Sequence, residues 1–105
     1  MVTTFEVLAE PSRRRILDLL REEERSVGEL VERMALSQPA VSKHLRVLRE
    51  AGMVTVRVDA QRRRYRLRPE PLAEVDAWLG PYRRFWGDRL DALERYLDGV
   101  EGTKG

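Results

Sequence analysis

Between residues 37 and 46 the chain reads Ser-Gln-Pro-Ala-Val-Ser-Lys-His-Leu-Arg. Written as a helix, the segment puts Val41, Leu45 and Leu48 on one side. Pro39, Ser42, Lys43 and Arg46 fall on the other, with Gln38 at the N-terminal edge. An amide or a small hydroxyl can pair with a base edge, and lysine and arginine suit guanine or a phosphate. The start of such a helix also favours a phosphate. A second set of cations lies downstream. Arg57, Arg62, Arg63, Arg64, Arg66 and Arg68 crowd together with Asp59 as the only acid among them. The formal net charge is only +2, so this basic character is local. A local basic cluster on a nearly neutral chain points to a polyanion touched at one face. A solvated basic hairpin without a ligand is the competing reading, and composition alone does not separate the two.

Other chemistries find less support. There are no cysteines, which excludes disulfides and thiolate metal sites. His44 is the only histidine and sits at the edge of the apolar helix face, where a structural or phosphate hydrogen bond is favoured over sensing. Asp88 and Asp91 read as solvated charge on a helix face rather than as an acid–base pair. Trp78, Phe85, Trp86 and Tyr96 recur at helical spacing, which favours core or dimer seam over an effector pocket. No Ser–His–Asp set, glycine-rich phosphate loop or metal cluster is present, so neither catalytic residues, nor a cofactor, nor a metal site is expected. Charged residues are 36% and hydrophobic ones 42%, the balance of a soluble globular protein. The longest apolar run is far short of the ~20 residues that cross a bilayer. The first residues carry no basic region followed by a long apolar run, so no signal peptide is expected and the cytoplasm is the default compartment.

The elements that must position these groups follow from periodicity and caps. A length of 105 residues fits one domain spanning 1–105. Residues 4–10 read as a short helix. Pro11 opens a second helix running to about Arg21, with Ile16, Leu17 and Leu20 at core spacing. Residues 21–25 read as a polar connector. Ser26-Val27-Gly28-Glu29 fits a capping box, opening a helix with Leu30, Val31 and Met34 inward. After the tight turn Ala35-Leu36-Ser37, Ser37 caps a helix over residues 38–51, stopped by Gly52. Val54, Val56 and Val58 then alternate with Thr55 and Arg57, residues 59–62 turn, and Tyr65 and Leu67 alternate with arginines. From Pro71 an apolar stripe recurs at steps of three or four. Gly80-Pro81 is expected to kink or split that helix, and residues 99–105 to fray.

Two short helices and a tight turn (about 26–51), an arginine-faced hairpin (about 53–68) and a last helix (about 70–98) make a mainly α fold with a small β-hairpin: a winged helix-turn-helix. The DNA major groove, about 12 Å wide, admits one such helix. The hairpin tip, Gln61-Arg62-Arg63, could reach an adjacent minor groove, whose negative potential attracts arginine. The expected DNA contacts are Ser37, Gln38, Pro39, Ser42, Lys43 and Arg46 from the helix, with Arg62, Arg63 and Arg64 from the hairpin.

The stretches Ala-Glu-Pro-Ser-Arg-Arg-Arg-Ile-Leu from Ala9 and Leu-Ser-Gln-Pro-Ala-Val-Ser-Lys-His-Leu-Arg-Val-Leu-Arg-Glu-Ala-Gly from Leu36 resemble the arsenic-repressor (ArsR) family. The resemblance covers roughly residues 5–68 by motif and the last helix by pattern. It implies a homodimeric regulator of double-stranded operator DNA, usually a repressor, acting on a pseudo-palindrome. It implies dimerisation through the first and last helices, here Phe5, Leu8, Leu79, Trp86, Leu90, Leu93 and Leu97. Gln38, Ser42 and Lys43 match that family's base-reading positions. The chain also departs from the pattern. Many members bind metals through Cys-x-Cys on the helix before the recognition helix, and those positions are Ser26 and Gly28 here. Others use histidine and carboxylates on the last helix, which here has Asp76, Asp88, Asp91, Glu94 and Asp98 but no histidine. The effector stays unassigned. Two alternatives remain open at this stage: a winged-helix interaction module that does not read DNA, and a metal-responsive repressor with an unrecognised site.

Overall fold

The structure, a computed structural model, describes residues 2–102, with side chains described through residue 99. Helix α1 (Thr4–Leu8) begins with a reciprocal cap: Thr3 Oγ1 accepts from the Glu6 N–H at 3.1 Å, and the Glu6 carboxylate accepts from the Thr3 N–H at 3.4 Å. Helix α2 (Pro11–Glu22) has Pro11 at its first position, where a missing N–H costs little, and buries Ile16, Leu17, Leu19 and Leu20. The polar connector expected at 21–25 proves shorter. Its end, Arg25–Ser26, is a two-residue strand, β1.

Ser26 then caps α3 (Val27–Arg33), its hydroxyl accepting from the Glu29 N–H at 3.2 Å. Only half of the expected capping box forms. The Glu29 carboxylate accepts a hydrogen bond from the Ser26 hydroxyl (3.3 Å) rather than from the Ser26 backbone N–H. Ser37 caps α4 (Gln38–Glu50) by accepting from the Ala40 N–H at 3.3 Å. At the far end Gly52 adopts φ +75°. Its N–H bonds the Arg49 carbonyl and the Met53 N–H bonds the Leu48 carbonyl, both at 3.0 Å. This double bond pattern satisfies carbonyls left open at a helix C-terminus and needs a left-handed residue where Gly52 stands.

Met53, fully buried, hands the chain to β2 (Val54–Asp59), which pairs antiparallel with β3 (Arg62–Leu67). The turn is Ala60-Gln61, with Ala60 at φ 58°. The Arg68 N–H bonds back to the Met53 carbonyl at 2.8 Å, closing the hairpin base against the end of α4. β1 joins the other edge of β3, giving sheet order β1-β3-β2. A single 3₁₀ turn (Glu70–Leu72) leads into α5 (Ala73–Gly102).

The core is built from Val7, Ile16, Leu19, Leu30, Val41, Leu45, Leu48, Met53 and Val54. Burial of each large aliphatic chain is worth roughly 1.5–3 kcal/mol. The chain divides into two compact units, residues 1–75, which hold this core, and residues 76–105. Within the second unit α5 continues through Pro81 without the expected split. Proline removes one ladder bond, and the turns on either side keep theirs. The expected frayed tail is helical as far as Gly102, and residues 103–105 lie outside the described residues. Among the described residues no helix is long and apolar enough to cross a membrane. The architecture is the expected winged helix-turn-helix, mainly α with a small antiparallel sheet.

Candidate nucleic-acid interface

Helix α4 is held by its apolar side. Val41, Leu45 and Leu48 are fully buried against α2 and α3 neighbours in the core cluster, while Gln38, Pro39, Ser42, Lys43 and Arg46 are all exposed. Pro39, Ser42, Lys43 and Arg46 line one shallow groove along the outer face. Among the described residues no intramolecular hydrogen bond or ion pair occupies the Gln38, Ser42, Lys43 or Arg46 side chains. Ser37 differs, since its hydroxyl is committed to the cap. His44 is half-buried at the edge of the holding face. The result is a rigidly seated helix presenting an amide, a hydroxyl and two cations outward from its first two turns and a half.

The hairpin register sorts the arginines by face. Val54, Val56 and Val58 share a side with Leu67, Tyr65 and Arg63, while Thr55, Arg57 and Asp59 share the other with Arg66, Arg64 and Arg62. Burial fades toward the tip: Val54 is buried, Val56 half-buried and Val58 68% exposed. Arg62 and Arg63 therefore stand at an exposed tip, free of ion pairs among the described residues. They border an open groove of about 380 Å³ that also touches Ser26, Gly28, Glu29 and Glu32 at the start of α3.

Arg64, expected to stand with them, is half-buried and engaged. It lies 3.9 Å from the Glu24 carboxylate and 3.6 Å from that of Glu29, and it donates to the Glu24 carbonyl at 3.4 Å. Arg57, its cross-strand partner, donates to the Glu24 carboxylate at 2.8 Å, to the same Oε2 that Arg64 approaches. That Arg57 hydrogen bond holds the Glu24 carboxyl below its ordinary value; desolvation opposes it, and the charges of Arg57, Arg66 and Arg64 add to the lowering. The next residue, Arg25, is 3% exposed. The Arg25 Nε donates to the Leu19 carbonyl at 3.0 Å, and its other nitrogens reach Glu22 and Glu23 at 3.0 and 3.2 Å. Sequence reading assigned neither Glu24 nor Arg25 a role. They sit in a run of charges whose spacing carries no periodic signal.

The positions aligned with thiolate ligands hold no such group. Ser26 Oγ is engaged with Glu29, and Gly28 has only the Ser26 hydroxyl near the place of a Cβ. Among the described residues no three of His, Cys, Asp and Glu gather where a metal ion could be held.

The residues expected at a dimer seam fall on both units. In the first, Phe5 is exposed and Leu8 is half-buried against the core. In the second, Leu79 is half-buried, and Trp86, Leu90, Leu93 and Leu97 are each about half exposed or more. Trp78, Tyr82 and Trp86 follow one another along the helix at ring separations of 5.0 and 6.5 Å, and Arg89 lies 4.6 Å from the centre of the Phe85 ring.

Comparison with known proteins places this geometry among relatives. Residues 10–56 match the family model described as bacterial regulatory protein, arsR family. The chain is 37% identical over 94 residues to the HTH-type transcriptional regulator Rv2034 of Mycobacterium tuberculosis, covering 90% of this chain and 85% of that one. It is 30% identical over 79 residues to the transcriptional repressor SdpR of Bacillus subtilis, covering 75% and 88%. A solved structure described as a "possible transcriptional regulator for arsenical resistance" superimposes with a TM-score of 0.69 at 45% identity, covering 89% of this chain and 94% of that one.

Proposed function

The chain belongs to the ArsR family of bacterial regulatory proteins and is a DNA-binding transcriptional regulator, not an enzyme; from that premise we propose how it engages its operator. The outer face of α4 reads base edges in the major groove, with Gln38, Ser42 and Lys43 as the reading groups and Arg46 on a phosphate. Pro39 and the capped turn at Ser37 bring the helix start close to the DNA backbone. The wing tip, Arg62 and Arg63, supplies phosphate and minor-groove attraction. Arg64 supports the wing from midway along the hairpin, through Glu24 and Glu29.

The protein acts as a homodimer and represses from a pseudo-palindromic operator in the cytoplasm. The apolar stripe of α5, with Leu79, Trp86, Leu90, Leu93 and Leu97, meets a second copy, and Phe5 and Leu8 add apolar surface on α1. A dimer presents two recognition helices about one DNA turn apart, ~34 Å. The single observation that carries this reading is the seated α4 whose outward polar side chains have no partner within the described residues. Electrophoretic mobility shift against the protein's own promoter fragment, beside a random duplex of equal length, tests it. A complex on the promoter that resists competition by the random duplex is expected. Equal affinity for both would overturn sequence-specific readout.

A further inference from the structure

Arg57 and Arg64 are directly opposite each other on neighbouring strands, on the same face of the hairpin. Like charges so placed repel and destabilise a sheet. Here one carboxylate resolves the conflict: Glu24 Oε2 lies 2.8 Å from the Arg57 guanidinium and 3.9 Å from that of Arg64. Glu29 approaches Arg64 from α3 at 3.6 Å. Arg62 and Arg63, one or two residues before Arg64 at the tip end of β3, have no such partner among the described residues. The wing therefore holds Arg57 and Arg64 in ion pairs midway along the hairpin and Arg68 against Glu70, and leaves Arg62, Arg63 and Arg66 without an ion pair among the described residues. A carboxylate bonded to a guanidinium offsets its charge and occupies donors that a phosphate would otherwise take.

We infer that Glu24 is a specificity-determining positioning residue, an internal counter-anion that withholds Arg57 and Arg64 from DNA phosphates. The inference rests on the assignment of the wing to DNA made above. Phosphate contacts carry affinity without sequence information. Taking Arg57 and Arg64 out of the wing's free cations keeps that indiscriminate contribution smaller, so that the base contacts of α4 decide where the protein stays. The carboxylate is ionised throughout the neutral range, as the depressed value imposed by Arg57 requires. The next residue, Arg25, is bonded to the Leu19 carbonyl.

The test uses the full chain and two fluorescent duplexes, its own promoter fragment and a random sequence of the same length, titrated across salt concentrations. Glu24→Gln keeps the side chain's size and removes the charge. It should tighten binding to the random duplex more than to the promoter fragment, lowering the ratio between them. It should also steepen the plot of log affinity against log salt by up to ~0.9 for each freed arginine per subunit. Glu24→Asp should keep most of the wild-type slope. Glu24→Gln combined with Arg57→Met and Arg64→Met should return the slope to the wild-type value. Asp18→Asn, which makes the same charge change on the exposed face of α2, should not reproduce the effect. A Glu24→Gln slope equal to wild type, or uniformly weaker binding from a loosened wing, would overturn the inference. The wing assignment itself is read separately from Arg62→Ala with Arg63→Ala. If that variant leaves the slope unchanged, the wing does not touch DNA, and the role of Glu24 falls with it. If it flattens the slope while Glu24→Gln leaves it unchanged, only the role of Glu24 falls.

Discussion

Arg25 carries a full charge into the base of the sheet, and its environment explains how. Its Nε satisfies the Leu19 carbonyl at the end of α2, a group the helix itself leaves to a long 3.5 Å bond from the Glu23 N–H. Its remaining nitrogens reach outward to Glu22 and Glu23, both exposed, so those ion pairs are worth little. The stabilising part is the buried hydrogen bond and the packed stem. Arg25→Met preserves the stem and loses the bond, and should cost about 1–3 kcal/mol in urea unfolding. A loss below a few tenths would mean the arginine is a passenger. At this scale the α4 side chains were legible in the sequence, because helical periodicity alone decides which ones point out. The pairing of Glu24 with Arg57 and Arg64 was not. Its members are 33 and 40 residues apart, and no local pattern joins them.

The elements that present the site depend on how α4 ends. Gly52 turns the chain at φ +75°, so that Met53 enters the core and β2 begins beside it. A Cβ at Gly52 would meet Pro71 Cγ at 3.9 Å, an ordinary contact, so a substitution there suffers from backbone strain rather than collision. Gly52→Ala should destabilise by about 1–2 kcal/mol, measured as a lowered denaturant midpoint with an unchanged slope. A midpoint equal to wild type would show that the turn does not require the left-handed conformation. Gly52 and both strands of the hairpin were readable, from a helix stop and from period-two alternation. β1 was not, since two residues cannot show a period and its ladder to β3 is a long-range pairing. At Gly80-Pro81 the restriction on the residue before a proline predicts a kink or a split, yet α5 runs through it as one helix. Losing one bond near the first third of a 30-residue helix leaves most of its ladder intact.

At the scale of the whole molecule, the net charge of +2 hides a run of arginines in the wing, and most of the large exposed apolar side chains belong to α5. Leu90 and Leu93 are 63% and 53% exposed in the single chain, beside Trp86 and Leu97. An exposed apolar stripe of that extent is the surface that the proposed dimer would cover. The wild-type protein should sediment as a dimer at micromolar concentration, and Leu90→Glu with Leu93→Glu should give monomers or unfolded chains. A monomeric wild type would remove the dimer from the account. The amphipathic pattern of this helix was plain in the sequence, but a single chain's sequence does not reveal what covers it.

The central claim is that α4 reads sequence while the wing tip only adds attraction, and comparing two sets of variants on promoter and random DNA tests it most directly. Gln38→Ala or Ser42→Ala should cost roughly 1–3 kcal/mol on the promoter fragment and little on the random duplex. Arg62→Ala with Arg63→Ala should weaken both alike and flatten the salt dependence by about 0.9 per lost phosphate contact per subunit. Equal losses on the two duplexes from both sets of variants would contradict the account, because sequence would then be read by something other than the outer face of α4.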